Sequence, residues 1–101
     1  MRRIRISIAD NASMPSAARI ERAIDRCGLG VSMRGTLAKY PGCAHWHLKK
    51  GRERGTLEVT LWPSERRLWL SVQSGRTAPW IDEAIKQLKA ALAELLNQRS
   101  K

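Results

Sequence analysis

Apolar and polar residues alternate in short segments of this chain and recur at helical spacing in two longer ones. Near the N-terminus, Ile4, Ile6 and Ile8 alternate with polar residues, which is the pattern of a half-buried strand over residues 3–9. A similar alternation spans residues 31–37. We therefore predict a strand at each of these two positions, with the apolar residues of each strand on one of its faces.

Two segments have the apolar stripe of an amphipathic helix. The first follows Ser13, a predicted N-cap, and Pro15, which suits a first turn; it ends at Gly28, which can adopt the left-handed C′ conformation. The second follows Thr77, also a predicted cap, with Pro79 in its first turn. Its apolar positions are Ile81, Ala84, Ile85, Leu88, Leu92 and Leu95. Each helix thus has one face suited to packing on a sheet.

The middle of the chain contains three alternating segments separated by two polar turns, the pattern of an antiparallel meander. Pairing Leu48 with Leu57, and Leu61 with Leu68, keeps every aliphatic residue of both hairpins on one face of the sheet. That register puts the following residues on the other face: His45, His47, Lys49, Glu58, Thr60, Trp62, Arg67, Trp69, Ser71 and Gln73.

These elements predict one α+β domain over residues 1–101, in the order β-α-β-β-β-β-α. The sheet is expected to be mainly antiparallel, with both helices on its aliphatic face. A chain of 101 residues has room for one hydrophobic core. The hydrophobic pattern does not define where the first strand lies in the sheet.

The chain is strongly basic, with 19 Lys and Arg residues against 9 Asp and Glu and a formal net charge of +10. Clustered cations gain affinity for nucleic acid because binding releases condensed counterions from the phosphates. We therefore expect RNA or single-stranded DNA as the partner. An acidic protein would be attracted by the same positive charge, so the charge alone does not discriminate between a nucleic acid and an acidic protein.

Outward-facing tryptophans and basic residues define a candidate nucleic-acid surface. Bases could stack on Trp62 and Trp69, at about 1–3 kcal/mol per base. The candidate phosphate contacts are Lys49, Lys50, Arg52, Arg54, Arg66, Arg67 and Arg76. In one alternative, the tryptophans are simply packed beneath a neighbouring loop such as the Tyr40 segment. In another, they form the centre of a protein-interaction or homodimerisation interface.

Cys43, His45 and His47 occupy alternate positions, so a strand would place their side chains on one face. Thiolate and imidazole groups bind zinc, and Glu58 on the next strand could add a ligand or orient an imidazole. Structural zinc sites, however, usually have four ligands in paired short spacings. The histidines could instead act with Lys49 as acid and base in phosphodiester cleavage. Since no catalytic motif accompanies them, we favour a binding function over an enzyme and expect no cofactor.

The N-terminal segment lacks the continuous apolar stretch of a secretion signal, and no apolar run approaches the roughly 20 residues of a membrane span. The two cysteines, Cys27 and Cys43, are too few for a disulfide scaffold. We therefore expect a cytoplasmic protein that makes no contact with the membrane. No sequence motif assigns the chain to a family.

Overall fold

The strands and helices follow the predicted order in a computed structural model that describes residues 1–97. The strands are β1 (Arg2–Arg5), β2 (Gly30–Gly35), β3 (Ala44–Lys49), β4 (Leu57–Trp62) and β5 (Arg67–Val72), and the helices are α1 (Ala17–Arg26) and α2 (Pro79–Asn97). One turn of 3-10 helix, Pro63–Glu65, connects β4 to β5. The predicted α+β class is confirmed.

All five strands form one antiparallel sheet in the order β1-β5-β4-β3-β2. The first strand, whose position the hydrophobic pattern left open, is therefore an edge strand beside β5. Its regular pairing ends at Arg5, although the backbone N–H of Ile6 still donates to the carbonyl of Leu68 at 2.9 Å. The strand is thus shorter than the predicted span of residues 3–9.

The register of the meander is the one that the aliphatic pattern predicts. Leu48 pairs with Leu57 in the first hairpin, and Leu61 pairs with Leu68 in the second. All four side chains are buried. A slip of one residue in either hairpin would move these side chains to the opposite face, so the burial of one face determines the register.

The hydrophobic core lies between this aliphatic face and the two helices. Burial of each large apolar side chain contributes about 1.5–3 kcal/mol to folding. The indole N–H of Trp46, a fully buried residue of β3, donates to the Glu21 carboxylate of α1 at 2.8 Å. The helical residues that complete the core are Ile20, Ala23 and Ile24 of α1, and Trp80, Ile81, Ala84, Ile85, Leu88, Leu92 and Leu96 of α2.

Both helices begin later than the sequence predicts. The cap of α1 is Ser16, whose hydroxyl accepts a bond from the backbone N–H three residues later, and not Ser13. The second helix begins at Pro79, which leaves Thr77 one residue too early to cap it. Two serines with equal capping chemistry lie before α1, so composition alone could not choose between them. Gly28 ends α1 with φ +74°, as predicted.

The second strand differs from its prediction in the face that it presents. The alternation predicts Val31 and Met33 on the same face, but the structure places them on opposite faces, where they are 42% and 44% exposed. A β-bulge lies between them, so Val31 pairs with Leu48, whereas Met33 pairs with His47 and lies on the polar face. Leu37 lies in the loop beyond the strand. The predicted strand is confirmed, but the alternation does not reveal the bulge that separates Val31 from Met33.

Gly55→Ala is expected to lower the free energy of unfolding by at least about 2 kcal/mol. Gly55 has φ +99°, and an added Cβ would lie 2.7 Å from the Cβ of Ala78 and 3.0 Å from the carbonyl oxygen of Arg76. Gly51→Ala is the control, because its φ is +55° but its Cβ would meet nothing within 4 Å. Urea unfolding measures both variants. Equal losses would contradict the importance of the contact at Gly55.

Candidate functional site

The face of the sheet opposite the helices carries the polar residues that the register predicts. No described helix covers this face, yet four polar residues at its centre are almost completely buried by their neighbours: His45, Glu58, Thr60 and Ser71. They belong to two cross-strand rows: Arg3, Ser71, Glu58, His47 and Met33 in one, and Arg5, Trp69, Thr60, His45 and Gly35 in the other. The polar face is therefore a second packing layer.

A network of polar side chains lies at the centre of this face. The Nδ1 atom of His45 is 2.8 Å from the hydroxyl of Thr60, and its Nε2 atom is 3.1 Å from Oε1 of Glu58. The Nε2 atom of His47 is 3.7 Å from the same carboxylate oxygen. Buried polar groups are costly without partners, and these contacts supply them. We call His45, His47, Glu58 and Thr60 the polar network.

Burial lowers the pKa of His45 below its ordinary value. The Glu58 carboxylate opposes this effect and the neighbouring His47 adds to it. The imidazole of His45 is therefore neutral at pH 7, with one nitrogen that donates a proton and one that accepts. Either Nδ1 donates to Thr60 and the Nε2 lone pair faces the network, or Nε2 donates to Glu58.

Cys43 does not belong to the polar network. It lies just before β3, and its buried Sγ accepts a hydrogen bond from the backbone N–H of Leu37 at 3.3 Å. The structure instead groups His45, His47 and Glu58, whose potential ligand atoms all lie within 4.8 Å of one another. The predicted set of Cys43 with two histidines is thus corrected, because the cysteine is engaged by the loop before the strand.

Trp69 lies beneath the loop that connects β2 to β3. The Tyr40 ring of this loop packs edge-on against Trp69, with centroids 5.0 Å apart, and also contacts Trp62 at 4.9 Å. The guanidinium of Arg3 lies 4.8 Å from the Trp69 ring centre. Trp69 is consequently 4% exposed and has no open face on which a base could stack. Trp62 is half-buried, and its indole N–H donates to the carbonyl of Pro41 at 2.9 Å.

Arg3 was not among the residues singled out from the sequence. Its side chain lies on the polar face because it pairs with Ser71 in the antiparallel register of β1 and β5. The alternation of Arg3 and Arg5 with isoleucine was visible in the sequence. The missing information was the position of β1 beside β5, which brings Arg3 to Trp69.

Two of the predicted phosphate contacts hold the fold together. The Arg66 guanidinium donates to three backbone carbonyls of the loop at residues 9–12, at 2.9, 3.4 and 2.7 Å. The ammonium group of Lys49 donates to the carbonyl of Gly55 at 2.8 Å and contacts the hydroxyl of Thr56 at 3.4 Å. These cations have internal acceptors, so they are poor candidates for contacts with phosphate.

Four other basic residues lie at the end of the sheet where β3 turns into β4. Two hydrogen bonds hold the backbone of these residues in place. The N–H of Thr56 donates to the carbonyl of Arg76 at 2.9 Å, and the indole of Trp80 on α2 donates to the carbonyl of Arg54 at 2.6 Å. Within residues 1–97, the four side chains form no hydrogen bond or ion pair. We call this group the basic end: Lys50, Arg52, Arg54 and Arg76.

Trp62 and Arg67 lie at the opposite end of the sheet. The six residues of β4 run from Leu57, near the basic end, to Trp62. This corresponds to about 17 Å at the usual rise of a strand. The guanidinium of Arg67 lies 6.0 Å from the centre of the Trp62 ring. The structure thus separates the predicted surface residues into two groups, with the polar network between them.

No protein-family model, curated protein or solved structure matches this chain. Within residues 1–97, no helix has both the length and the apolar composition needed to cross a membrane.

The titration of Tyr40 reports on the contact that covers Trp69. Arg3 donates a hydrogen bond to the Tyr40 hydroxyl at 3.1 Å, which lowers the pKa of Tyr40 below its ordinary value. We expect Arg3→Gln to raise the pKa of Tyr40, because the hydrogen bond and positive charge of Arg3 favour the tyrosinate. Ultraviolet absorbance of this single tyrosine measures the pKa directly.

Arg5→Gln is the control for this titration, since Arg5 lies on the same face in the next row. It removes the same charge without removing the hydrogen bond, so it should change the pKa of Tyr40 less than Arg3→Gln does. An Arg3→Gln variant with the Tyr40 pKa of the unmodified protein would contradict the role assigned to Arg3.

Proposed function

We propose that this protein binds RNA or single-stranded DNA and that its basic end contacts the phosphate backbone. The observation that carries the proposal is that four cations lie together without an acceptor among residues 1–97: Lys50, Arg52, Arg54 and Arg76. The net charge of +10 adds a long-range attraction for a polyanion. Binding would release counterions and would therefore weaken as salt is raised.

The backbone that carries these cations is tied down, which favours binding. Trp80 of α2 holds the carbonyl of Arg54, and the Arg76 carbonyl holds the N–H of Thr56. A surface that is ordered before binding loses less conformational entropy when it binds. Arg76 also lies three residues before α2, and the dipole of this helix favours a phosphate near its N-terminus.

Base stacking in this proposal is assigned to Trp62 and not to Trp69. Trp62 keeps part of its ring accessible and has Arg67 beside it. Trp69 would need Tyr40 and Arg3 to move before a base could reach it. A nucleic-acid strand that contacts both Trp62 and the basic end would cross the polar face. This path supports a single-stranded ligand over a rigid duplex.

Self-association through β2 is a second candidate function. Val31 and Met33 are large apolar side chains that are more than two-fifths exposed, and they lie on an edge strand. Edge strands present unpaired backbone groups to which another strand can add. This candidate replaces the predicted interface centred on the tryptophans, because Trp69 is covered by Tyr40.

Substitution of Lys50, Arg52 and Arg54 by alanine tests the basic end. We expect weaker binding of a mixed-sequence, single-stranded oligonucleotide at low salt. The slope of log affinity against log salt concentration should flatten by about 0.7 for each lost phosphate contact, and so by about 2 in the triple variant. Fluorescence anisotropy of a labelled oligonucleotide measures both quantities. The bond from Trp80 goes to the backbone of Arg54, so the alanine variant retains it.

The matched control removes three positive charges from the helices instead, by substitution of Arg22, Lys86 and Lys89 with alanine. These residues are exposed and lie on α1 and α2. The control should keep a steeper salt slope than the variant of the basic end. Equal effects of the two triple variants would show that net charge alone drives binding. A wild-type protein that binds no oligonucleotide at low salt would exclude the proposed function.

Met33→Glu tests self-association. If β2 pairs with a second copy, the buried carboxylate should shift the sedimentation coefficient towards the monomer value at every concentration. The unmodified protein should show a sedimentation coefficient that rises with concentration. A concentration-independent monomer would exclude this second function.

A further inference from the structure

Three side chains of the polar network converge on one point. Glu58 Oε1 lies 3.1 Å from the Nε2 atom of His45 and 3.7 Å from the Nε2 atom of His47, and all the ligand atoms are within 4.8 Å of one another. In a tetrahedral site with bonds of about 2.0–2.2 Å, ligand atoms lie about 3.3–3.6 Å apart. The two distances to the Glu58 oxygen are therefore already close to the spacing that a single metal ion would impose.

The supporting contacts suit a metal site as well. Thr60 lies 2.8 Å from Nδ1 of His45, so a proton on Nδ1 can be donated to Thr60 while the Nε2 lone pair faces Glu58. The two imidazole rings are nearly perpendicular, at 79°, with centroids 5.1 Å apart. Both Nε2 atoms can therefore approach one ion while their rings remain separate. The paired strands β3 and β4 supply all of these groups on a rigid backbone.

The buried carboxylate of Glu58 is a further reason to expect a cation. Buried charges in proteins are paired with an opposite charge or bind a metal. Within residues 1–97, no arginine or lysine forms an ion pair with Glu58, and its contacts go to two imidazoles. A divalent metal ion held by these three groups would place a positive charge directly beside the Glu58 oxygen.

We propose that His45, His47 and Glu58 together bind one divalent transition-metal ion of the Zn²⁺ class. Imidazole nitrogens favour zinc and its neighbours, whereas Mg²⁺ and Ca²⁺ prefer sites made of oxygen. Three protein ligands leave a fourth position for water or for another ligand. The His47 side chain is 20% exposed whereas that of His45 is 3% exposed, so the ion enters from the His47 side.

The site does not depend on the proposed binding of nucleic acid, since no residue of the basic end contributes to it. It differs from the set predicted from the sequence by having Glu58 in place of Cys43. That difference is testable, because a thiolate ligand and a carboxylate ligand give Co²⁺ complexes with different ultraviolet charge-transfer absorption.

The first experiment titrates the chelator-stripped protein with Zn²⁺ by calorimetry and with Co²⁺ by absorbance. The protein is produced without a histidine tag, so that its two histidines are the only imidazoles present. We expect one ion per chain, displacement of Co²⁺ by Zn²⁺, and no strong thiolate-to-cobalt absorption. Mg²⁺ and Ca²⁺ at the same concentrations should not compete. Absence of stoichiometric Zn²⁺ binding would overturn the proposal.

Variants then assign the ligands. His47→Ala should weaken Zn²⁺ binding by more than about 100-fold, since losing a ligand has a larger effect than the roughly 10–100-fold loss seen when a group that only orients a ligand is removed. Thr60→Val should weaken binding by about 10–100-fold through the orientation of His45. Cys43→Ser should leave Zn²⁺ affinity unchanged. His47 is partly exposed, so circular dichroism is expected to show an intact fold in its variant.

Two outcomes would overturn the assignment even if Zn²⁺ binds. One is a His47→Ala variant that binds Zn²⁺ as tightly as the unmodified protein, and the other is a Cys43→Ser variant that loses binding. The triple alanine variant of the basic end should bind Zn²⁺ normally. Failure of the metal proposal is therefore distinguishable from failure of the nucleic-acid proposal.

Discussion

The cross-strand register of β3, β4 and β5 is the constraint on which the rest of this structure depends. Pairs such as Leu48 with Leu57 place the aliphatic side chains on one face, and the two helices can then bury them. The same pairs bring His47 opposite Glu58 on the other face. Because strand side chains alternate strictly, the core and the polar network arise from a single choice of register.

The polar face combines two environments that a sheet usually separates. Its centre excludes water, as a core does, yet it consists of imidazole, carboxylate and hydroxyl groups that satisfy one another. An unsatisfied buried group costs about 1–3 kcal/mol, so this arrangement depends on each partner being in place. Towards its ends the face becomes cationic, with the basic end on one side and Arg67 on the other.

The period-two pattern was sufficient to predict the meander, its register and the residues that share a face with Glu58. Prediction failed where structure depends on contacts between distant segments. Packing of Trp69 beneath the Tyr40 segment was one of several alternatives that the sequence left open, and the structure selects it. Arg66 uses a left-handed backbone conformation, φ 52°, to reach the loop after β1, and no sequence pattern predicted this. The bulge between Val31 and Met33 moves Met33 to the polar face, because one extra residue changes which side chains point to each face.

The position of β1 has a consequence for the order in which the chain can acquire its structure during synthesis. Arg2 pairs with Val72, so β1 leaves the ribosome well before β5 and has no partner in this sheet until β5 has followed it. The arginines of β1 keep this strand charged while it is unpaired, and the charge disfavours pairing with strands of other chains. β1 therefore joins the sheet only after β5 has been made, although it precedes the other four strands along the chain.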